Sequence, residues 1–226
     1  MRTLIYVPII HTSADLGSLA EEVNRKGQEN FGENMWRDHL RTIDGFWDAL
    51  FIYFDSINVS GTKIFQDGMI VDGEPGLHII REGDKAGSKN HQLVSRLLQK
   101  GAILMKTEDF NLVKKERDRL VKMIQAKSTA AKILGLILYK LTKNTLLKQR
   151  DEYIAQRIDQ TLEEGETGIL FIGAYHNVRS KLALDLKIKE IKETRKIREY
   201  QSLLPFCHKN KKRFDDLSEY LISKID

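Results

Sequence analysis

The order of apolar and polar positions along the chain predicts short buried strands that alternate with helices. Several apolar runs are almost uninterrupted, which is typical of strands buried on both faces of a sheet. Five runs predict strands: Thr3–Ile10, Ala49–Phe54, Gly76–Ile80, Ala102–Met105 and Gly168–Ile172.

The stretches between these runs have helical spacing of their apolar positions. They predict helices at Leu16–Arg25, Trp36–Phe46, His91–Lys100, Phe110–Gln125 and Thr129–Glu164. We expect the last to be two helices broken near Thr142–Asn144. One segment, Lys63–Gly73, carries the turn signals Asp67-Gly68 and Asp72-Gly73 and predicts a small hairpin beside the sheet.

Alternation of strands and helices predicts an α/β fold with a mainly parallel, doubly wound sheet of about five strands. The length of 226 residues suits one hydrophobic core. We therefore expect a single α/β domain over residues 1–226, with an added helical segment around 110–160 and a basic C-terminal segment at 185–226.

Candidate chemistry follows from the strand ends, because ligands of open parallel sheets bind beyond the carboxyl ends of the strands. Each predicted strand is followed by a polar or ionisable group. These groups include His11, Asp55, Arg81, Glu108 and His176.

His11 and His176 stand out among these groups, since each directly follows a buried run. Two neutral imidazoles and a carboxylate such as Asp55 are ligands for zinc or another divalent metal ion. Alternatively, one imidazole acts as a general base on water. A strand-end histidine also commonly bonds to a loop backbone, so each of these roles is a hypothesis.

Glu108 and Arg150 extend the candidate catalytic set. Asp109 is a natural N-cap for the helix at Phe110, which leaves Glu108 to face the site. Arg150 lies beside Asp151 in the long helix, where a surface charge pair is the common arrangement. The alternative is an arginine that reaches the site and stabilises an anionic intermediate. The small pair Gly173-Ala174 lets the backbone approach a neighbour or ligand closely.

A non-catalytic binding protein is a second hypothesis. The segment Gly83–Asn90 opens a helix and contains glycine and serine, so its backbone N–H groups could cradle a small anionic ligand. Arg81, Lys85 and Ser88 are the side chains expected to bind it.

Net charge adds a third, less favoured hypothesis. The chain carries a formal charge of +5, with basic blocks at Lys187–Arg198 and Lys209–Arg213. Such blocks usually form solvated faces, and no aromatic RNA-reading motif or zinc finger accompanies them, so nucleic-acid contact is possible but not favoured.

The apolar run Ile133–Leu141 predicts burial within the chain or in a homo-oligomer. It is too short to span a bilayer. The lone Cys207 rules out an intramolecular disulfide, and a cytoplasmic location fits.

Two segments resemble the TraB, erythromycin-esterase and ChaN-like superfamily. Residues 146–178 carry an arginine near the start of a helix, an apolar strand and then Gly-Ala-x-His. Residues 6–19 match the first half of that family's site, where Gly-x-x-His follows the first strand; here Pro8 replaces the glycine and His11 matches the histidine. The family's glutamate falls at Tyr53 in the run WDALFIYFDS, so Asp55 or Glu108 would substitute for it.

This resemblance implies a doubly wound core with a site of two histidines, a carboxylate and an arginine. Members range from esterase-like and protease-like enzymes to proteins of unsettled activity. With the residues themselves, it favours a hydrolase-like enzyme of unknown substrate, metal-assisted if an ion binds.

Overall fold

The computed structural model describes residues 1–12, 14–15, 20–125 and 129–226, with side chains except at 120 and 122–143. The described residues contain one sheet of five parallel strands in the order β3-β2-β4-β1-β5. The α/β fold with a parallel sheet is therefore confirmed. The strands are β1 Thr3–Ile9, β2 Lys63–Gln66, β3 Ile103–Met105, β4 Thr167–Gly173 and β5 Lys187–Glu190.

Eight α-helices in the described residues surround this sheet. They are α1 Ala20–Phe31, α2 Glu33–Asp55, α3 Gly73–Lys85, α4 Lys89–Gln99, α5 Phe110–Gln125, α6 Thr129–Thr161, α7 Thr194–Leu203 and α8 Lys211–Ile222. The helix predicted at Phe110–Gln125 is confirmed. Ser88 is the N-cap of α4, and its side chain accepts from the backbone N–H of His91.

Both faces of the sheet are covered, which explains the continuous apolar runs. Successive side chains of a strand point to opposite faces. Leu4 and Tyr6 of β1 pack with α6 on one face, which we call the α6 face. Ile5 and Val7 pack with α2, α4, α7 and α8 on the other, the α2 face.

The connections place a switch point in the middle of the sheet. The helices that follow β1 and β2 lie on the α2 face, whereas α6, which leads from β3 back to β4, lies on the α6 face. Neighbouring strands whose connections leave to opposite faces open a crevice beyond their carboxyl ends. In this sheet, β4 has such a neighbour on each side, β2 and β1.

Two predicted strands are wrong. Ala49–Phe54 belongs to α2, and Gly76–Ile80 belongs to α3. The apolar face of α2 packs on the sheet along helical spacing, while Ile52 within the run is 64% exposed. A strand covered on both faces would bury that side chain.

The predicted hairpin at Lys63–Gly73 is also wrong. Lys63–Gln66 is the parallel strand β2, between β3 and β4, and only the turn at Asp67-Gly68 remains from the prediction. The basic block at Lys187–Arg198 contains the edge strand β5, which was not predicted.

The long helical region is one helix, so the predicted break near Thr142–Asn144 is wrong. The predicted helix at Leu16–Arg25 begins in residues outside the described part of the chain, and α1 starts at Ala20. The side chains of Ile133–Leu141 also lie outside that part. In the regions described, no helix is long and apolar enough to cross a lipid bilayer.

Candidate functional site

Four ionisable side chains meet at the carboxyl edge of the sheet, each just beyond a different strand. Glu108 follows β3, Asp67 follows β2, His176 follows β4 and His11 follows β1, in the order in which the strands lie side by side. The structure thus brings together His11, His176 and Glu108 from the predicted set. Asp67 is the residue that joins them.

Asp67 lies at the centre of this cluster. Its Oδ2 is 3.4 Å from Nε2 of His11 and 3.6 Å from Nε2 of His176. Its Oδ1 accepts a hydrogen bond from Nη2 of Arg150 at 2.7 Å. Both imidazoles therefore turn the same ring nitrogen towards one carboxylate oxygen, whose partner oxygen is held by a guanidinium.

The backbone around Asp67 fixes this placement. Its N–H continues the β2–β4 ladder by donating to the carbonyl of Phe171 at 2.9 Å. Gly68 then turns the chain with φ +79°, a conformation that glycine adopts without steric cost. The N–H of Gly68 donates to Oε1 of Glu108 at 2.7 Å, and the N–H of Gln66 donates to Oγ1 of Thr107 at 2.9 Å. The segment that follows β3 thus accepts two hydrogen bonds from the end of β2 and the turn after it.

Gly173, at the end of β4, makes room for the cluster. A Cβ at this position would lie 3.0 Å from Oδ2 of Asp67 and 3.2 Å from Nε2 of His11. Its N–H donates to Oδ2 of Asp67 at 3.0 Å. The expectation that a small residue here permits close approach is confirmed, and the group that approaches is Asp67.

A buried carboxylate orients His176. Nδ1 of His176 lies 2.6 Å from Oδ1 of Asp151, and Oδ2 of Asp151 accepts from the N–H of Asn177 at 2.9 Å. Because an ionised carboxylate has no proton to give, Nδ1 of the imidazole is the donor. Nε2 therefore faces the cluster. Asp151 was expected in a surface pair with Arg150, but both residues are buried.

His11 has a similar but looser arrangement. Its Nδ1 lies 3.7 Å from Oδ2 of Asp15, and its side chain is 44% exposed, whereas His176 is buried. Asp15 also accepts from the backbone N–H of Thr12 and from the hydroxyl of Ser88. Ser88 in turn lies 2.7 Å from Nδ1 of His91. Ser88, predicted to bind an anion, donates to the carboxylate beside His11.

Arg150 is held by carboxylates on each of its three nitrogens. Nε and Nη2 contact the two oxygens of Glu108, each at 2.5 Å, Nη2 also contacts Asp67, and Nη1 contacts Glu116. This two-point geometry is strong and directional. Arg150 therefore bridges the carboxylates of Glu108 and Asp67.

The charges shift the pKa values of the cluster. Burial opposes ionisation of Asp67, but the charge of His176, the contact with His11 and the charge of Arg150 hold its pKa well below the usual range. Burial likewise favours neutral imidazoles, yet Asp67 and Asp151 raise the pKa of His176 above its ordinary 6.5. The nearby carboxylates of Asp15 and Asp67 outweigh the loss of hydration and raise the pKa of His11 to about 10.

Replacing Asp151 with asparagine is expected to lower the pKa of His176, because the carboxylate that stabilises the imidazolium is lost while a side-chain oxygen remains. The measurement is a pH titration of the histidine ring signals by NMR. Asp185→Asn, which removes a surface carboxylate bound to Arg2, is the matched control and should leave the midpoint in place. An unchanged His176 midpoint in Asp151→Asn would contradict this geometry.

Metal binding was predicted with Asp55 as the carboxylate, and Asp55 is not near the histidines. It ends α2 before the amino end of β2, at the opposite edge of the sheet, and pairs with Arg96 and Lys100 at 2.6 and 2.7 Å. Asp67 occupies the position that Asp55 was expected to fill. The strand that would have carried the family's glutamate at Tyr53 is helical, so that position is also not at the cluster.

The side chains around Asp67 are of the types that bind metal ions, but they are not arranged around a common point. Two imidazole nitrogens and a carboxylate oxygen are common zinc ligands. However, among the side chains that the structure describes, no group of three or more His, Cys, Asp or Glu residues is arranged so that it could hold an ion. Binding of an ion would require these side chains to move.

The other predicted binding residues do not join the cluster. Arg81 and Lys85 are exposed on α3 and pair with Glu74 and Glu82 of the same helix. In the late basic segment, Lys192 is buried and donates to backbone carbonyls of Tyr220 and Ser223, so part of this segment has a structural role.

Sequence reasoning missed Asp67 and Asp151, and only Asp67 could have been found from the sequence. Asp67 comes one residue after the apolar pair Ile64-Phe65, so like His11 and His176 it is an ionisable group shortly after an apolar run. Asp151 gives no such signal, because its role depends on which face of α6 turns towards β4.

Comparisons of the chain with protein families, with curated proteins and with solved structures found no match.

Proposed function

We propose that this chain is a hydrolase-like enzyme that cleaves an ester bond by acid–base catalysis at the His11–Asp67–His176 cluster. The supporting observation is the convergence of both Nε2 atoms on Oδ2 of Asp67, while each Nδ1 faces a further carboxylate. A carboxylate behind an imidazole fixes its tautomer and stabilises the imidazolium, as in Ser-His-Asp hydrolases. The resemblance to the TraB and erythromycin-esterase superfamily agrees with this reaction class, and Asp67 serves as its carboxylate.

In the proposed reaction, neutral His176 takes a proton from water through Nε2. The resulting hydroxide attacks the ester carbon, and the oxygen of the leaving alcohol takes a proton from protonated His11. The products are an acid and an alcohol. His11 suits the second role because its ring is accessible to solvent. Asp67, held by Arg150, stabilises the positive charge that moves between the two rings.

The test is hydrolysis of p-nitrophenyl acetate, butyrate and phosphate by the full chain. We expect His176→Gln and His11→Gln each to lower kcat/KM by about 100-fold or more, the usual contribution of acid–base catalysis. His39→Gln, a buried histidine bonded to Tyr200 on the α2 face, is the matched control. Since both cluster histidines have raised pKa values, the rate should rise with pH above neutrality, as the base loses its proton. Equal rates in wild type and both cluster variants would refute the proposal.

A divalent ion at the cluster is a second candidate, favoured only by the donor types. The same assay after treatment with EDTA separates the two mechanisms. The proton-only mechanism expects no loss of rate, whereas loss followed by recovery with added zinc would replace it with a metal-assisted one.

A further inference from the structure

A cavity of about 330 Å³ adjoins His176 beside Tyr6 of β1 and Glu190 at the end of β5. We call it the Tyr6 pocket, after the tyrosine of β1 in its wall; Arg179, Glu190, Thr194 and Arg198 also line it. This volume is at the lower end of the range for small-molecule sites. Because His176 is otherwise buried, the pocket gives a small molecule access to that imidazole.

Tyr6 is 2% exposed and lines this pocket, and no hydrogen bond of its hydroxyl is found among the described residues. Burial, with the charge of Asp151 nearby, raises the pKa of this phenol, so it keeps its proton and is a donor. Solvent can reach this hydroxyl, since it is not one of the fully buried side-chain atoms that lack a partner in the described residues. A molecule in the pocket could replace that solvent as the acceptor of its hydrogen bond.

The charged groups of the pocket favour an anion. Its guanidinium groups outnumber its carboxylates. Glu190 is occupied, since one oxygen pairs with Arg179 at 3.0 Å and the other accepts from the N–H of Thr194 at 3.0 Å. Arg198 donates to the carbonyls of Ala174 and His176, which fixes the turn after β4 while its charge remains beside the cavity.

We propose that the Tyr6 pocket binds an anionic oxygen group of the substrate, a carboxylate or a phosphate, with the Tyr6 hydroxyl donating a hydrogen bond to it. This proposal rests on the proposed function and deepens it: the substrate is an ester that carries a negative charge close to the bond that is cleaved. The anion would lie next to His176, which also lines the pocket.

The test is calorimetric titration of the full chain with inorganic phosphate and with acetate, at constant ionic strength set by chloride. We expect one of the two to bind, and Tyr6→Phe to weaken it by about tenfold or more, as expected for a lost hydrogen bond to a charged group. Binding of phosphate alone identifies a phosphorylated substrate, and binding of acetate alone identifies a carboxylated one. If neither binds, or if Tyr6→Phe binds as tightly as wild type, the proposal fails.

Tyr53→Phe is the matched control, because Tyr53 is also a buried tyrosine but lies in α2 on the other face of the sheet. It should leave anion binding unchanged. Tyr6→Phe should not lower the midpoint of thermal unfolding without ligand, because the hydroxyl it removes has no protein partner. A clear loss of thermal stability would instead indicate a structural role for that hydroxyl.

The outcome is separable from that of the proposed function. His176→Gln should abolish ester hydrolysis while anion binding persists. Anion binding that depends on Tyr6, together with no hydrolysis by the wild type, would uphold the pocket and refute the catalytic proposal. Hydrolysis that depends on both histidines, together with no anion binding, would uphold the catalytic proposal and refute the pocket.

Discussion

Asp67→Asn is expected to lower kcat/KM for any ester that the protein cleaves by about 100-fold or more, and to lower the free energy of unfolding by about 3 kcal/mol. The variant keeps the size of the side chain and an oxygen for the N–H of Gly173. It loses the negative charge that both imidazoles and Arg150 face. The measurements are the ester assay and urea unfolding at pH 5.

The dependence on pH has a definite sign. The pKa of Asp67 is lowered in the folded chain, so its stabilisation is present above the unfolded value of 3.8 and is lost as pH falls. The pKa of His176 is raised, so its stabilisation is complete below the unfolded value of 6.5 and is lost as pH rises through the folded value. The difference in stability between wild type and Asp67→Asn should therefore be largest between about pH 4 and 6.5.

Asp55→Asn is the matched control for this prediction. Asp55 also contacts two cations, Arg96 and Lys100, but on the surface, so its loss should cost less than about 1 kcal/mol. An Asp67→Asn variant as stable and active as Asp55→Asn would contradict the central role of Asp67.

Arg150→Met is expected to lower the free energy of unfolding at pH 7 by about 3–5 kcal/mol, because Glu108 and Asp67 are then left buried without their cation. In the variant, mutual repulsion raises the pKa of these carboxyls in the folded chain. The folded state then binds protons more readily than the unfolded state, so stability should recover as pH falls from 7 to 5. Urea unfolding over this range provides the measurement.

Two further variants test the origin of that loss. Adding Glu108→Leu to Arg150→Met should restore part of the stability, because one unpaired charge is removed. Arg213→Met breaks a surface pair with Glu199 and should change the free energy of unfolding by less than about 1 kcal/mol. A loss that is independent of pH would instead indicate lost packing around Arg150.

Sequence reasoning found those parts of the fold in which the local order of apolar residues matches their burial in the folded chain. β1 and β4 are covered on both faces, so their apolar runs are unbroken and their polar ends mark the site. Ala49–Phe54 has the same appearance, but its apolar residues result from the wide buried face of a helix. The strand β2 was not predicted for the opposite reason. Lys63 and Gln66 make its sequence look polar, although Gln66 is buried in the structure.

The site was predicted in part for the same reason. His11, His176 and Glu108 follow apolar runs that are true strands, and Arg150 came from the resemblance and from its position before β4. Asp67 was assigned to a hairpin, because its glycine neighbour is equally typical of a turn between antiparallel strands. Only the pairing of β2 with β4 decides between these interpretations, and pairing partners are not a local property of the sequence.

The strand order has a consequence for synthesis on the ribosome. β1 is made early, but both of its neighbours, β4 and β5, are made late: Thr3 pairs with Thr167 and with Lys187. At translation rates of about 5–20 residues per second, this apolar strand waits on the order of ten seconds for its first partner. During that time its edges are open to other chains. The nascent protein should therefore depend on chaperones that shield apolar segments, and the cluster, which needs β1 and β4 side by side, can form only after β4 has been made.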